Sequence, residues 1–450
     1  MPAEWGKDEQ EQGQIIAAFI LTIEHYFEGW NEICKKVQDG RNPELITYSL
    51  EELLFTGILM YICHLGSRRN INYRLRGNGT AAEKMKQLFG TEEIAHGDTL
   101  DYAFRKLNIE EVQQMVSWMT ARLIRKKVLS KWRLFDYYYL AAIDGTGVLS
   151  FSERHCPYCL TQKLNNGSTR YYHPVLEAKL ITANGFAFSL MTEFIENRDP
   201  NATKQDCELK AFYRLARRMK KQFPRLPICL LMDGLYAGGP TFKICEQNWW
   251  KYMIVLTDDD LRDLNQEYES LLKKSSDCQL QIELDDSSSQ TFRWMNSISY
   301  TDSNQDQHSV NVIECNEITQ SNEKTSKNKW VTNFTLTSGN VPKLSSAGRL
   351  RWKIENEGFN LQKNGGYRLE HPYSHHDVAC KVFYLLLQIA FTIFQLMANG
   401  SLLHTAFPKG LGLLKNIAFR LLEAWRNSPL DIRTLISPNT PRFQIRLDTS

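Results

Sequence analysis

Two apolar runs in this chain stop on the same dipeptide. Ala141-Ala142-Ile143 runs into Asp144-Gly145, and Leu230-Leu231-Met232 runs into Asp233-Gly234. Uninterrupted apolar runs of this length, bounded by turn residues, are strands covered on both faces, which requires a sheet with helices packed against it. In such sheets functional groups gather at the carboxyl ends of the strands, so two aspartates placed this way converge if the strands are neighbours. Asp-Gly is also plain turn chemistry closing a strand, and a single instance would be read so.

The surrounding pattern builds the rest of the sheet. Tyr137 to Ile143, Val175 to Ile181 and Phe186 to Ile195 are strand-like, and Asn184-Gly185 between the last two is a hairpin signal that makes them antiparallel neighbours. A helix is predicted over Lys204 to Phe223, then the buried strand Ile228 to Met232, a helix near Pro240 to Gln247 and a strand Lys251 to Leu256. This order describes a mixed α/β sheet with flanking helices. Before it, residues 1–134 show helical spacing, as in Ile15, Ile16, Phe19, Ile20 and Ile23, and read as an all-helical N-terminal domain. Residues 257–329 turn polar with short alternating segments, a β-rich insertion. The core returns with a strand Trp330 to Leu336 and a helix Ser345 to Lys363, so the α/β unit is residues 135–256 plus 330–400. Residues 401–450 form a basic helical segment and tail.

Basic residues number 54 against 51 acidic, a balance that makes any nucleic-acid surface local. Two stretches qualify: Arg68, Arg69, Arg74 and Arg76 in the first, and Arg125, Lys126 and Lys127 in the second. Each is a DNA-phosphate candidate or a solvated helix face. The polar, acidic start carries no secretory pattern, and Val382 to Met397, about 16 apolar residues, falls short of the roughly 20 a bilayer needs, so a cytoplasmic protein with a buried core helix is expected. The ten cysteines are expected to be reduced thiols. His155-Cys156-Pro157-Tyr158-Cys159 has half of a zinc-binding spacing, with His173 the nearest further ligand; lacking a second Cys-x-x-Cys, buried thiols are the preferred reading.

A third carboxylate completes the constellation. In Arg351-Trp352-Lys353-Ile354-Glu355, with Phe359 following, Arg351 and Glu355 share one helix face. Together with Ile143-Asp144-Gly145-Thr146 and Leu231-Met232-Asp233-Gly234-Leu235-Tyr236-Ala237, this ordered set resembles the DDE transposases of bacterial insertion sequences, over roughly residues 60 to 400. The resemblance implies a ribonuclease H-like fold in which Asp144, Asp233 and Glu355 hold two Mg²⁺ or Mn²⁺ ions, with Asp144 bridging. It also implies metal-dependent cleavage of double-stranded DNA at terminal inverted repeats, transfer of the freed 3′-hydroxyl into target DNA, and a homodimer on paired ends. The group places Tyr seven residues before the glutamate, Arg four before and Lys seven after. Arg351 fits, but Gly348 and Gln362 occupy the other two positions, with Lys363 one residue late. Arg351 and Lys363 are thus the candidate phosphate contacts. Trp294, in the insertion, is the candidate for stacking on a flipped base, against a role in the insertion's core. A same-fold nuclease without strand transfer and a decayed, non-catalytic DNA-binding relative are the alternatives.

Overall fold

The apolar run Tyr139 to Ile143 does not end at Asp144. In the computed structural model, which describes residues 7–77, 79–154, 156–199, 201, 204–275, 277–284, 288–319, 324–436 and 443–447, strand β1 spans Tyr139–Phe151. Asp144 lies opposite Glu177 and Gly145 opposite Leu176 of the antiparallel β3, Thr169–Ile181. The turn reading of Asp144-Gly145 is thereby corrected: the strand keeps a partner on one side throughout. What does end near Asp144 is its other pairing, with the parallel strand β5, Ile228–Met232, whose register stops at Ala142 opposite Leu231.

The remaining strands are β2 (Leu160–Lys163), β4 (Ala187–Phe194), β6 (Lys251–Val255), β7 (Gln279–Glu283), β8 (Ser289–Thr301), β9 (Gln307–Thr319) and β10 (Lys324–Thr332). All ten form one mixed sheet in the order β2-β3-β1-β5-β6-β10-β9-β8-β7, with β4 also paired to β3. The hairpin expected at Asn184-Gly185 is present as the β3–β4 pair, and Gly185 supplies the left-handed conformation (φ +97°) its turn requires. The region 257–329 is β-rich as expected, yet it opens with a helix, Arg262–Leu272, and its strands continue the main sheet instead of forming a separate one.

The major helices are α1 (Lys7–Tyr26), α2 (Leu50–Ile62), α3 (Ile109–Arg125), α4 (Glu208–Gln222), α5 (Gly239–Gln247), α6 (Arg262–Leu272), α7 (Val341–Arg349), α8 (Asp377–Ala398) and α9 (Leu414–Asn427). The boundary expected at residue 134 does not divide two cores. Helix α8 packs on α1, α2, α3 and β4 alike, and a single apolar cluster runs from Ile15 to Ile445. Polar groups join the two halves as well: Ser117 and Thr120 of α3 donate to the carbonyls of Leu190 and Ser189 on β4, at 3.2 and 2.6 Å. Helix α8 is apolar and long enough to cross a membrane, but 83% of its apolar window is buried inside the protein, which makes it the central core helix.

The helix expected over Ser345 to Lys363 is a composite. Helix α7 begins with Pro342 in its first turn, where a missing N–H costs nothing. A 3₁₀ turn, Leu350–Trp352, and a π-helical stretch, Ile354–Asn360, follow before the chain returns to α geometry at Leu361–Asn364. π-Helical insertions are uncommon and concentrate at functional sites. This one carries Glu355.

Candidate active site

The three carboxylates come from three elements. Asp144 sits where β1 has lost its β5 partner, Asp233 follows the last residue of β5, and Glu355 lies in the first turn of the π-helical stretch. Each aspartate is steered by the backbone just after it: Gly145 N–H donates to Asp144 Oδ1 at 2.8 Å, and Leu235 N–H donates to Asp233 Oδ1 at 3.0 Å, capping the 3₁₀ turn Gly234–Tyr236. The buried guanidinium of Arg351 joins them. Its Nη1 donates to Glu355 Oε1 at 2.9 Å and lies 3.7 Å from Asp144 Oδ2.

Sequence reading missed two further acids, Glu208 and Asp260. A Cβ placed on Gly145 would meet Glu208 Oε1 at 2.3 Å, and one on Gly234 would meet Asp260 Oδ2 at 2.5 Å. Neither glycine has positive φ. A side chain at either position would have to displace a neighbouring carboxylate, and the second residue of each Asp-Gly pair was the available signal. Glu208 is in the first turn of α4 and also faces the Tyr236 hydroxyl at 3.5 Å; Asp260 accepts from the Thr257 N–H at 2.9 Å.

This crowding of negative charge shows in the titration. Burial pushes the Asp144 carboxyl up to about 7, with the Glu355 carboxylate adding to the effect against the opposing pull of the Gly145 N–H and Arg351. Burial likewise raises Asp233, reinforced by Glu355 and Asp260, and it raises Glu208, reinforced by Asp233. The group is short of positive charge.

The carboxylates are spread more widely than the cage around one ion. Among the described residues, the trio of His, Cys, Asp or Glu whose ligand atoms all lie within 4.8 Å of one another is Cys156, Cys159 and His173. His155 lies outside the described residues.

The other predicted residues divide. Gln362 is wholly buried and exchanges hydrogen bonds with Gln388 of α8 at 2.9 and 3.2 Å, while Lys363 pairs with Glu370 at 2.9 Å. Gly348 has no room for a tyrosine, since its Cβ would lie 2.6 Å from the Trp330 indole. Trp294 corrects the stacking expectation: at 5% exposure it is a core residue of the insertion with no free ring face. The exposed aromatic next to the site is Trp352, 55% exposed, with the Arg351 guanidinium 4.1 Å from its ring centre. Arg68 is likewise a structural residue, donating to the Tyr373 and Gly97 carbonyls and pairing with Asp98. Arg69 hydrogen-bonds to Tyr73, Arg76 pairs with Glu93, and Arg74 is exposed. Arg125, Lys126 and Lys127 stand together, exposed, at the end of α3.

No protein-family model matches the chain, and no curated protein matches it.

Proposed function

We propose that the chain is a DDE-class transposase on a ribonuclease H-like core, cutting insertion-sequence ends and transferring the freed 3′-hydroxyl into target DNA. The observation that carries this reading is the gathering of Asp144, Asp233 and Glu355 around the buried Arg351 at one place on the sheet. Two features of the fold support it. The segment β4-β3-β1-β5-β6, antiparallel up to β1 and parallel beyond it, agrees with a ribonuclease H-like sheet, and the β7–β9 strands fall between Asp233 and Glu355, where the resembled group carries its insertion.

The donor set fits Mg²⁺ or Mn²⁺. It consists of hard carboxylate oxygens, and burial raises the proton affinity of two of them, Asp144 and Asp233. Asp144, Asp233 and Glu355 would hold the two ions, with Asp144 contributing to both. Bound there, the ions would supply activation of water and charge neutralisation on the leaving oxygen.

The protein's own groups then orient the reaction. The Gly145 and Leu235 amides each hold one oxygen of an aspartate, and the second oxygen of Asp144 faces Arg351. Arg351 fixes Glu355 through its Nη1. In the ion-free state Asp144 holds a proton near neutral pH, which it must release before it can act as a ligand. The exposed Arg125, Lys126 and Lys127 suit contact with the DNA backbone, and two such protomers on paired ends form the expected assembly.

The test is incubation with a labelled duplex carrying the end of the encoding element, in Mg²⁺, Mn²⁺ or EDTA, with a target plasmid present. Metal-dependent cleavage and joining should be lost in Asp144→Ala, Asp233→Ala and Glu355→Ala while DNA binding persists. Cleavage without joining would indicate a nuclease, and binding without cleavage a non-catalytic relative; either outcome refutes the proposal.

A further inference from the structure

A second cluster of ligating side chains lies beyond Asp144, at the outer end of the β1–β3 ribbon. Past a bulge between Gly147 and Leu149, β1 runs to Phe151, and the following loop brings Cys156 and Cys159 onto His173 of β3. The two Sγ atoms are 3.5 Å apart, and His173 Nε2 lies 3.3 Å from Cys156 Sγ and 3.2 Å from Cys159 Sγ. Cys159 and His173 are buried, Cys156 partly so, and neither cysteine is in a disulfide.

We infer that Cys156, Cys159 and His173 bind one structural zinc ion. Zinc takes thiolate sulfur at about 2.3 Å and imidazole nitrogen at about 2.0–2.1 Å in tetrahedral geometry, which sets ligand-to-ligand edges of roughly 3.5–3.8 Å. The three observed edges are a few tenths of an ångström shorter, so a small outward movement of the ligands opens the site to the ion. The three atoms form one face of the tetrahedron, and the fourth position would be taken by water. Binding releases the two thiol protons to solvent and leaves two thiolates on the ion, with no change of oxidation state.

The outer environment is built for this role. His173 Nδ1 faces Glu196 Oε1 at 3.9 Å, so Nε2 is the nitrogen presented to the thiols, and a carboxylate behind a ligating imidazole is the usual means of fixing its orientation. Glu196 is itself anchored by Lys381 of α8 at 2.6 Å, with both side chains 4% exposed. The zinc therefore ties the loop after β1 through His173, Glu196 and Lys381 to the central helix. It thereby braces the strand that carries Asp144. The inference does not depend on the carboxylate site being catalytic.

The experiment uses the full chain purified with zinc in the medium and no chelator. Elemental analysis should give about one zinc per chain. Replacement by Co²⁺ should give the intense visible bands of a tetrahedral site together with a thiolate-to-cobalt charge-transfer band. Cys156→Ser and Cys159→Ser should each cut bound metal at least tenfold, while Asp144→Asn should retain the full zinc content. As a control independent of the variants' folding, both thiols of the wild-type protein should resist alkylation until a chelator is added, and then react together. Zinc below a tenth of an equivalent, a Cys156–Cys159 disulfide by mass, or alkylation rates indifferent to chelator would each overturn the inference.

Discussion

The raised proton affinity of Asp144 makes metal binding at the carboxylate site a titration. An acid pushed up to about 7 must lose its proton before its oxygen can serve a cation, so protons and metal compete for it. The sign follows directly: affinity is full above 7 and falls as pH drops through it. About 9% of such a group is ionised at pH 6, about 50% at pH 7 and about 90% at pH 8. Apparent Mn²⁺ affinity should therefore rise about fivefold from pH 6 to 7 and less than about twofold from 7 to 8. Calorimetric titration with MnCl₂ in buffers of differing ionisation heat measures the affinity and the protons released together. Asp144→Asn, which has no proton to lose, should bind far more weakly and with a flatter profile. A wild-type affinity independent of pH, with no proton release, or an Asp144→Asn profile equal to wild type, would refute the assignment of Asp144 as a ligand.

Three further outcomes follow from the same geometry. In the absence of metal, Asp144→Asn should stabilise the protein: the unfolded aspartate ionises near 3.8 and the folded one near 7, so the deficit opens as pH rises between them and is fully present at pH 8, by at most about 4 kcal/mol. Thermal melts at pH 4 and pH 8 check this, and an equal or smaller gap at pH 8 contradicts it. Gly348→Tyr, which restores the group's tyrosine, should cost about 1–3 kcal/mol in urea unfolding because the Trp330 indole fills that space; unchanged stability would show that the indole yields readily. Replacing Arg125, Lys126 and Lys127 by Glu should lower the slope of log affinity for duplex DNA against log salt by about three, and an unchanged slope would remove α3 from the DNA-binding surface.

The most legible parts of the β-sheet were a short, strongly apolar central strand and a tight hairpin turn. Ile228–Met232 and the hairpin at Gly185 stand where the residue pattern puts them. The strand through Asp144 was misjudged, since Gly145 reads as a turn residue until Glu208, distant in sequence, is seen to fill its side-chain space. Glu208 itself reads only as an acid opening a helix; its nearness to Asp233 is a tertiary fact with no local trace. The helix bearing Glu355 has ordinary helical periodicity in its sequence, which carries no sign of the switch through 3₁₀ to π geometry. Charge alone does not show that Arg68 directs its Nε to the Tyr373 carbonyl and its Nη1 to Gly97 and Asp98 in the folded chain. The expected separation at residue 134 failed because α8, a late segment, packs on early helices and on the sheet together.

The role proposed for Asp144, Asp233 and Glu355 is to hold divalent ions in contact with the oxygens of the bond being cut. The most direct test replaces the leaving 3′-oxygen of an element-end duplex with sulfur, which Mg²⁺ coordinates poorly and Mn²⁺ better. Cleavage should fall at least about tenfold in Mg²⁺ and recover in Mn²⁺ for the wild-type protein, with no recovery in the three alanine variants. Equal cleavage of oxygen and sulfur substrates in Mg²⁺, in a reaction shown to be limited by bond breaking, would contradict the claim.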